Sequence, residues 1–191
     1  MKRSTAAIRR RVASAEVLRE ALERVGLAEA RLDELAKARE LAARLINPGV
    51  ASTAALLAIH ARTGYGIYVV REAGEVTGFV ALVFLNAAGL AAVETDTFNT
   101  LRPSLDHITA AGEEPVACYG WGVAAATREA AAICIAGCQA AAKAMPFAYF
   151  ARAVTPSGHR ALTEKVGFVP YPGSKSGLLW LSPNRKSRSA A

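Results

Sequence analysis

A chain of 191 residues with 52% hydrophobic residues and a mean hydropathy of +0.21 carries enough apolar material for one packed domain, which excludes wholesale disorder. No apolar run reaches the ~18–20 uncharged residues of a membrane helix, and Arg9, Arg10 and Arg11 stand where a signal peptide would need its apolar segment, so a cytoplasmic protein without a membrane span is expected. The formal charge of +7 belongs to the ends: Lys2, Arg3, Arg9, Arg10 and Arg11, with Arg185, Lys186 and Arg188, account for eight positive charges and leave the body at −1, so nucleic acid is not an expected partner except through these tails.

Residues 13–46 read as helix broken at Gly26, with apolar stripes Leu18, Leu22, Val25 and then Leu32, Leu35, Ala42, Leu45. The two halves read as a helical hairpin that docks on the domain or on a second subunit, which makes a homodimer reasonable. Asn47-Pro48-Gly49 ends this region. The expected division is a basic tail and helical extension over 1–50, a main domain over 51–182, and a basic, disordered tail over 183–191.

Ser52 fits the N-cap of a helix over 53–62. Ile67–Val70, a turn at Glu72–Glu75 and Gly78–Leu85 form a β-hairpin whose second strand is apolar on both faces, as in the middle of a sheet covered on both sides. Residues 86–114 show little pattern, although Arg102–Ile108 fits a short helix with Pro103 at an early position. A third strand over Val116–Val123, a helix over Thr127–Ala144 and a fourth strand over Phe147–Ala153 follow. Thr155-Pro156 opens a helix to about Lys165, and Gly167–Pro170 and Ser176–Leu181 are the last strands. Cys118, Cys134 and Cys138 have no partners at zinc-site spacing, so buried thiols are expected and no metal.

The order of elements from residue 67 onward is hairpin, strand, helix, strand, helix, strand, strand. It contains Gly158-His159-Arg160-Ala161-Leu162-Thr163-Glu164-Lys165-Val166-Gly167-Phe168. Residues 67–181 thereby resemble the GCN5-related N-acetyltransferase (GNAT) superfamily, whose members carry a helix ending in a pattern close to A-x-x-L-Y-E-K-L-G-F; Leu162, Glu164, Lys165, Gly167 and Phe168 match it. The resemblance implies an α/β fold with a mixed, mostly antiparallel sheet flanked by helices, here with an N-terminal helical extension. The first strand of the family is not legible in this sequence. The implied activity is acyl-CoA-dependent N-acyl transfer, from acetyl-CoA or another acyl-CoA to an amine acceptor on a small molecule or protein.

What the resemblance implies for residues is specific. The family's pyrophosphate loop, R/Q-x-x-G-x-G/A, holds the anion on backbone N–H groups at a helix start. Counted from Val123, it falls on Arg128, Ala131 and Ile133, so one element of three is retained. Acyl-CoA is expected along Trp121, Gly122 and Val123, at Arg128, Glu129 and Ala131, and beside Ser157 and His159. The family's acidic tyrosine corresponds to Thr163, with Tyr171, Tyr149 or His159 as substitutes, and Glu94 and Asp96 are the first candidates for a base, ahead of Glu113, Glu114 and His107. Gly120 and Gly122, either side of Trp121 and next to Tyr119, fit two readings: a bulge whose backbone N–H groups meet the thioester carbonyl, or small residues that make room for packing against Trp121. The rival functions are a catalytically impaired GNAT-like binding or interaction module, a nucleic-acid-associated protein, and an acyl-homoserine-lactone-type synthase.

Overall fold

The computed structural model describes residues 15–47 and 49–182. The two basic end segments read from the sequence lie outside these residues.

Helix α1 (15–23) buries Leu18 and Leu22. The break at Gly26 leads into a short strand, β1 (Ala28–Glu29), which pairs antiparallel with the next strand through Ala28↔Val69. The expected hairpin of two helices is therefore corrected: a two-residue edge strand separates them, too short to show any period. Helix α2 (Leu32–Leu45) begins where the Glu34 side chain accepts the Arg31 backbone N–H at 2.8 Å, and α3 (Thr53–Thr63) where Ser52 Oγ accepts from Ala55 N–H.

Strands β2 (Ile67–Glu72) and β3 (Glu75–Leu85) form the predicted hairpin, turning through Ala73 and Gly74 at φ +50° and +85°. These two left-handed residues match the twist of the flanking strands. From Gly78 to Leu85 β3 is buried on both faces, as its apolar run requires. Helix α4 (Ala87–Glu94), absent from the sequence reading, is apolar all round and has no stripe to detect; Asn86 caps it by accepting Gly89 N–H at 3.0 Å. The helix expected over Arg102–Ile108 is reduced to one tight turn, Leu105–His107, because Ser104 rather than Pro103 starts it and accepts Asp106 N–H.

Strand β4 (Ala117–Ala125), helix α5 (Arg128–Ala144) and strand β5 (Ala148–Arg152) follow. Helix α6 (Pro156–Arg160) widens into a last turn over Ala161–Val166, and β6 (Val169–Pro170) and β7 (Leu178–Leu181) complete the chain.

The sheet order is β1-β2-β3-β4-β5-β7-β6, antiparallel throughout except for the parallel pair β4–β5 that α5 connects. Among the described residues six helices flank this seven-stranded open sheet, the expected α/β arrangement of a mixed, mostly antiparallel sheet between helices. On one face Leu18, Leu22 and Leu27 pack with Cys134, Cys138, Tyr149 and Phe168, so the N-terminal helix docks within its own chain. On the other face α2 and α3 cover Phe79 and Ala81 with Leu35, Ala38 and Leu56, and Val93 of α4 and Phe98 of the loop after it cover Tyr119 and Phe150. The three cysteines are buried and free, and burial pushes the Cys134 and Cys138 thiols up to about 12, which keeps them protonated and unreactive. Among the described residues no helix is long and apolar enough to cross a membrane.

Candidate functional site

The parallel ladder between β4 and β5 runs from Ala117↔Ala148 to Gly120↔Ala151 and stops, while β4 continues to Ala125. At that point Gly120 opposes Leu82 and Gly122 opposes Ala81 on β3, leaving Trp121 as the extra residue of a β-bulge. A bulge bends the strand that carries it, and here it turns β4 away from β5. Past Gly120 no strand among the described residues pairs with β4 on its β5 side.

The glycines beside the bulge have a packing reason. A Cβ on Gly120 would lie 3.2 Å from the Tyr149 ring, and one on Gly122 would lie 3.1 Å from the Phe79 ring. Each glycine lets an aromatic ring close on β4 from a different face of the sheet. The rings are those of Tyr149 and Phe79, not of Trp121.

A cavity of about 570 Å³ occupies the gap. Its walls come from both faces: Cys134, Cys138, Gly158 and Leu162 on the α5–α6 side, and Ala38, Ala42, Leu45 and Leu56 on the α2–α3 side, so it crosses the sheet between the splayed strands. The Trp121 indole N–H donates to the Thr100 carbonyl at 2.6 Å and holds the loop after α4 over the opening.

Five of the residues expected to meet acyl-CoA line this cavity: Trp121, Gly122, Val123, Ala131 and Ser157. Arg128 and Glu129 sit exposed in the first turn of α5, and His159 is exposed on α6; none of the three is part of the wall. Of the expected catalytic residues, Glu94, Asp96 and Tyr171 lie at the α4 side, and none of the three is part of the cavity wall. Tyr171 donates its hydroxyl to Glu94 Oε1 at 2.9 Å, and its ring packs against Phe150 and Trp180 at 5.5 Å from each. Burial, and then the Glu94 carboxylate, raise the Tyr171 phenol above its ordinary range, so it keeps its proton at neutral pH. Asp96 accepts from the Ser176 hydroxyl and from Arg152 Nη2, and these two partners, Ser176 first, hold its carboxyl below the usual range. Thr163 is apart from this group. Its hydroxyl donates back to the His159 carbonyl at 2.9 Å, within its own helix. Glu113 accepts the Ala110 N–H of its own turn, His107 lies against Phe98, and Glu114 is exposed; none of the three lines the cavity.

The start of α5 departs from the expected anion loop. Strand β4 runs to Ala125 and only Ala126 and Thr127 precede the helix, so Ala131 and Ile133 fall inside α5 rather than in a loop. Ile133 packs against the core near Gly26. The Ala126 N–H is taken by the Thr77 carbonyl at 2.7 Å, and the Ala130 N–H by Thr127 Oγ1 at 3.0 Å. Thr127 in turn donates its hydroxyl to Glu72 Oε1 at 3.1 Å. The positive end of the helix dipole thus already faces a carboxylate of the protein, with Glu129 as a second one in the first turn.

Sequence reasoning missed Arg152, the Thr100–Leu101 segment and the α2 wall. Arg152 carried a signal, a lone charge in the apolar run Phe147–Ala153. Ala38 and Ala42 carried a weaker one, as small residues four apart in a leucine stripe.

No family model matches the chain, and no curated protein matches it. Among solved structures, the GphF GNAT-like decarboxylase in complex with isobutyryl-CoA is similar over 72% of this chain and 71% of that chain, at 16% sequence identity and a TM-score of 0.49.

Proposed function

We propose that the chain is an acyl-CoA-dependent N-acyltransferase in which an amine attacks the thioester directly. The observation that carries this reading is the unpaired edge of β4 past Gly120, beside a cleft that crosses the sheet. A pantetheine arm is an extended chain with two amides, and such a chain adds to an open strand edge as a further strand would. The bulge at Trp121 then offers backbone N–H groups to the thioester carbonyl, where negative charge develops.

The proton bookkeeping follows from the α4-side cluster. As the amine nitrogen bonds to the carbonyl carbon and the carbon–sulfur bond breaks, we assign uptake of the amine proton to Glu94 and proton delivery to the leaving thiolate to Tyr171, which requires the reacting groups to reach past the cavity wall to the α4 side. The existing Tyr171–Glu94 hydrogen bond returns a proton to the phenolate. Asp96, tied to Arg152 and Ser176, serves as a positioning residue. Thr163 has no part in this scheme.

The test is the melting temperature with millimolar acetyl-CoA, with free coenzyme A and ATP as controls. A ligand at ~100 times its dissociation constant adds about 2.7 kcal/mol. A shift with both coenzyme A species and not with ATP is expected, and no shift with any of them removes the reading.

The α5 start makes a second prediction. If the pyrophosphate sits there, Glu72 and Glu129 oppose it, and each charge near a helix end is worth about 0.3–1 kcal/mol. The double variant Glu72→Gln, Glu129→Gln is expected to bind coenzyme A about three- to thirtyfold more tightly by titration calorimetry. Unchanged or weaker binding would mean that the pyrophosphate lies elsewhere.

The same two features favour a second reading, a catalytically impaired binding module: the protein's own carboxylate at the α5 start, and a threonine turned onto its own helix. Tight acyl-CoA binding without acyl transfer to any amine in an acceptor panel, and unaltered by Tyr171→Phe, would decide for it.

A further inference from the structure

We infer that the substrate reacting in this cleft carries a carboxylate, and that Arg152 binds it. The inference rests on the acyl-CoA reading and deepens it.

The cavity wall is mostly apolar and its charged members are Arg39 and Arg152; among the described residues no aspartate or glutamate lines it. Arg152 ends β5 at the point where the ladder with β4 has stopped. Strand alternation sends its side chain to the same face as Phe150, toward Tyr119 and the α4 side, where the acyl group and the acceptor would meet. The guanidinium is aimed by Asp96, which bonds Nη2 and is itself fixed by Ser176. Asp96 takes a left-handed backbone at φ +58° in this position, a conformation that residues other than glycine adopt less readily.

This oriented group keeps a buried donor unmet. Arg152 Nε is shielded from solvent and has no hydrogen-bond partner among the described residues. An ion pair serving only to tie β5 to α4 would need neither a position on the cleft wall nor an unmet donor. An arginine held by one carboxylate, with Nε unsatisfied, is suited to a second carboxylate, because the planar fork offers two parallel N–H donors to it.

The carboxylate has two chemical sources. It belongs to the acyl group, as in a dicarboxylic thioester, or to the acceptor, as in an amino acid. Two matched pairs separate them: succinyl-CoA against butyryl-CoA by titration calorimetry, and a pool of amino acids against the same pool as amides, with acetyl-CoA, by mass spectrometry of the product. The full chain is expected to prefer the carboxylate member of one pair by about tenfold or more. In Arg152→Gln that ratio falls to about one, and Arg152→Lys, which keeps a charge for Asp96 but lacks the fork, falls between. Circular dichroism of each variant checks folding; if Arg152→Gln unfolds, a reduced ratio in Arg152→Lys decides.

Binding of butyryl-CoA with neither pair discriminated overturns this inference and leaves the acyl-CoA reading standing. A preference that survives in the folded variants overturns it equally. Failure of every thioester to bind removes both.

Discussion

Glu34→Ala is expected to lower the free energy of unfolding by about 3 kcal/mol, the low end of what removing one member of a buried ion pair costs. The Glu34 side chain is only 1% exposed, and its two oxygens accept from Arg71 Nε and Nη2 at 2.6 Å each. The same carboxylate accepts the Arg31 N–H at 2.8 Å and pairs with the Arg31 guanidinium at 3.1 Å. Removing it strands Arg71, which at 27% exposure recovers some water, and this sets the estimate at the low end. The melting temperature should fall by about 6–12 °C for a chain of this size.

Acid gives an independent check. The Arg71 hydrogen bond, above all, holds the Glu34 carboxyl down at about 2, against 4.5 for the ordinary group. A depressed carboxylate stabilises the fold above its unfolded value and loses that contribution as pH falls. The roughly 3 kcal/mol is therefore complete above pH ~4.5 and drains away toward pH ~2. Denaturant unfolding at pH 7 and pH 3 should show the gap between wild type and Glu34→Ala narrowing in acid. A gap of the same size at both would mean that the charge contributes nothing. Because α2 supplies one wall of the cleft, any loss at Glu34 reaches the site through helix position rather than through contact.

Gly66→Ala is expected to destabilise by about 3–4 kcal/mol, from two causes acting together. Gly66 has φ +125°, outside what a residue with a Cβ adopts without strain, and an added Cβ would stand 2.5 Å from the Leu82 carbonyl oxygen. The neighbour cannot yield easily, since it is backbone in the middle of the sheet and the Leu82 N–H is already bound to the Gly66 carbonyl at 2.7 Å. Gly74→Ala is the control. Its φ of +85° is also left-handed, but a Cβ there meets nothing within 4 Å, so only the strain of about 1 kcal/mol remains. Equal losses by chemical denaturation would show that the clash at Gly66 relaxes.

Elements with strong local signals were legible in the sequence. Strand β3 is one, with eight consecutive apolar or small residues, and the capped helices α3 and α5 are others. Strand β1 was not, because two residues carry no period and its existence depends on Tyr68 and Val69 to pair with. Helix α4 was not, because alanine and glycine on every side erase the stripe, although Asn86 stood at its cap. The bulge at Trp121 was legible as one of two readings of the Gly120–Gly122 pair. The cleft around it was not, since its far wall belongs to α2, some eighty residues earlier, and only tertiary packing brings the two together. The α5 start misled for a physical reason: counting a motif assumes a loop, and the Thr77 carbonyl that binds Ala126 N–H shortens the connection to two residues.

Among the described residues the sheet's outermost strands, β1 and β6, are two residues long, and the second residue of β6 is Pro170, which has no N–H to donate. The exposed remainder of β2 beside β1 ends in Arg71 and Glu72, at a register shift. Short strands, proline, charge and irregular register are what keep sheet margins from recruiting further strands. Among the described residues a neighbouring copy of the chain therefore finds little ladder to extend at either margin. Among the described residues a stretch of open strand, residues 121–125, lies instead inside the sheet along β4, beside the cleft.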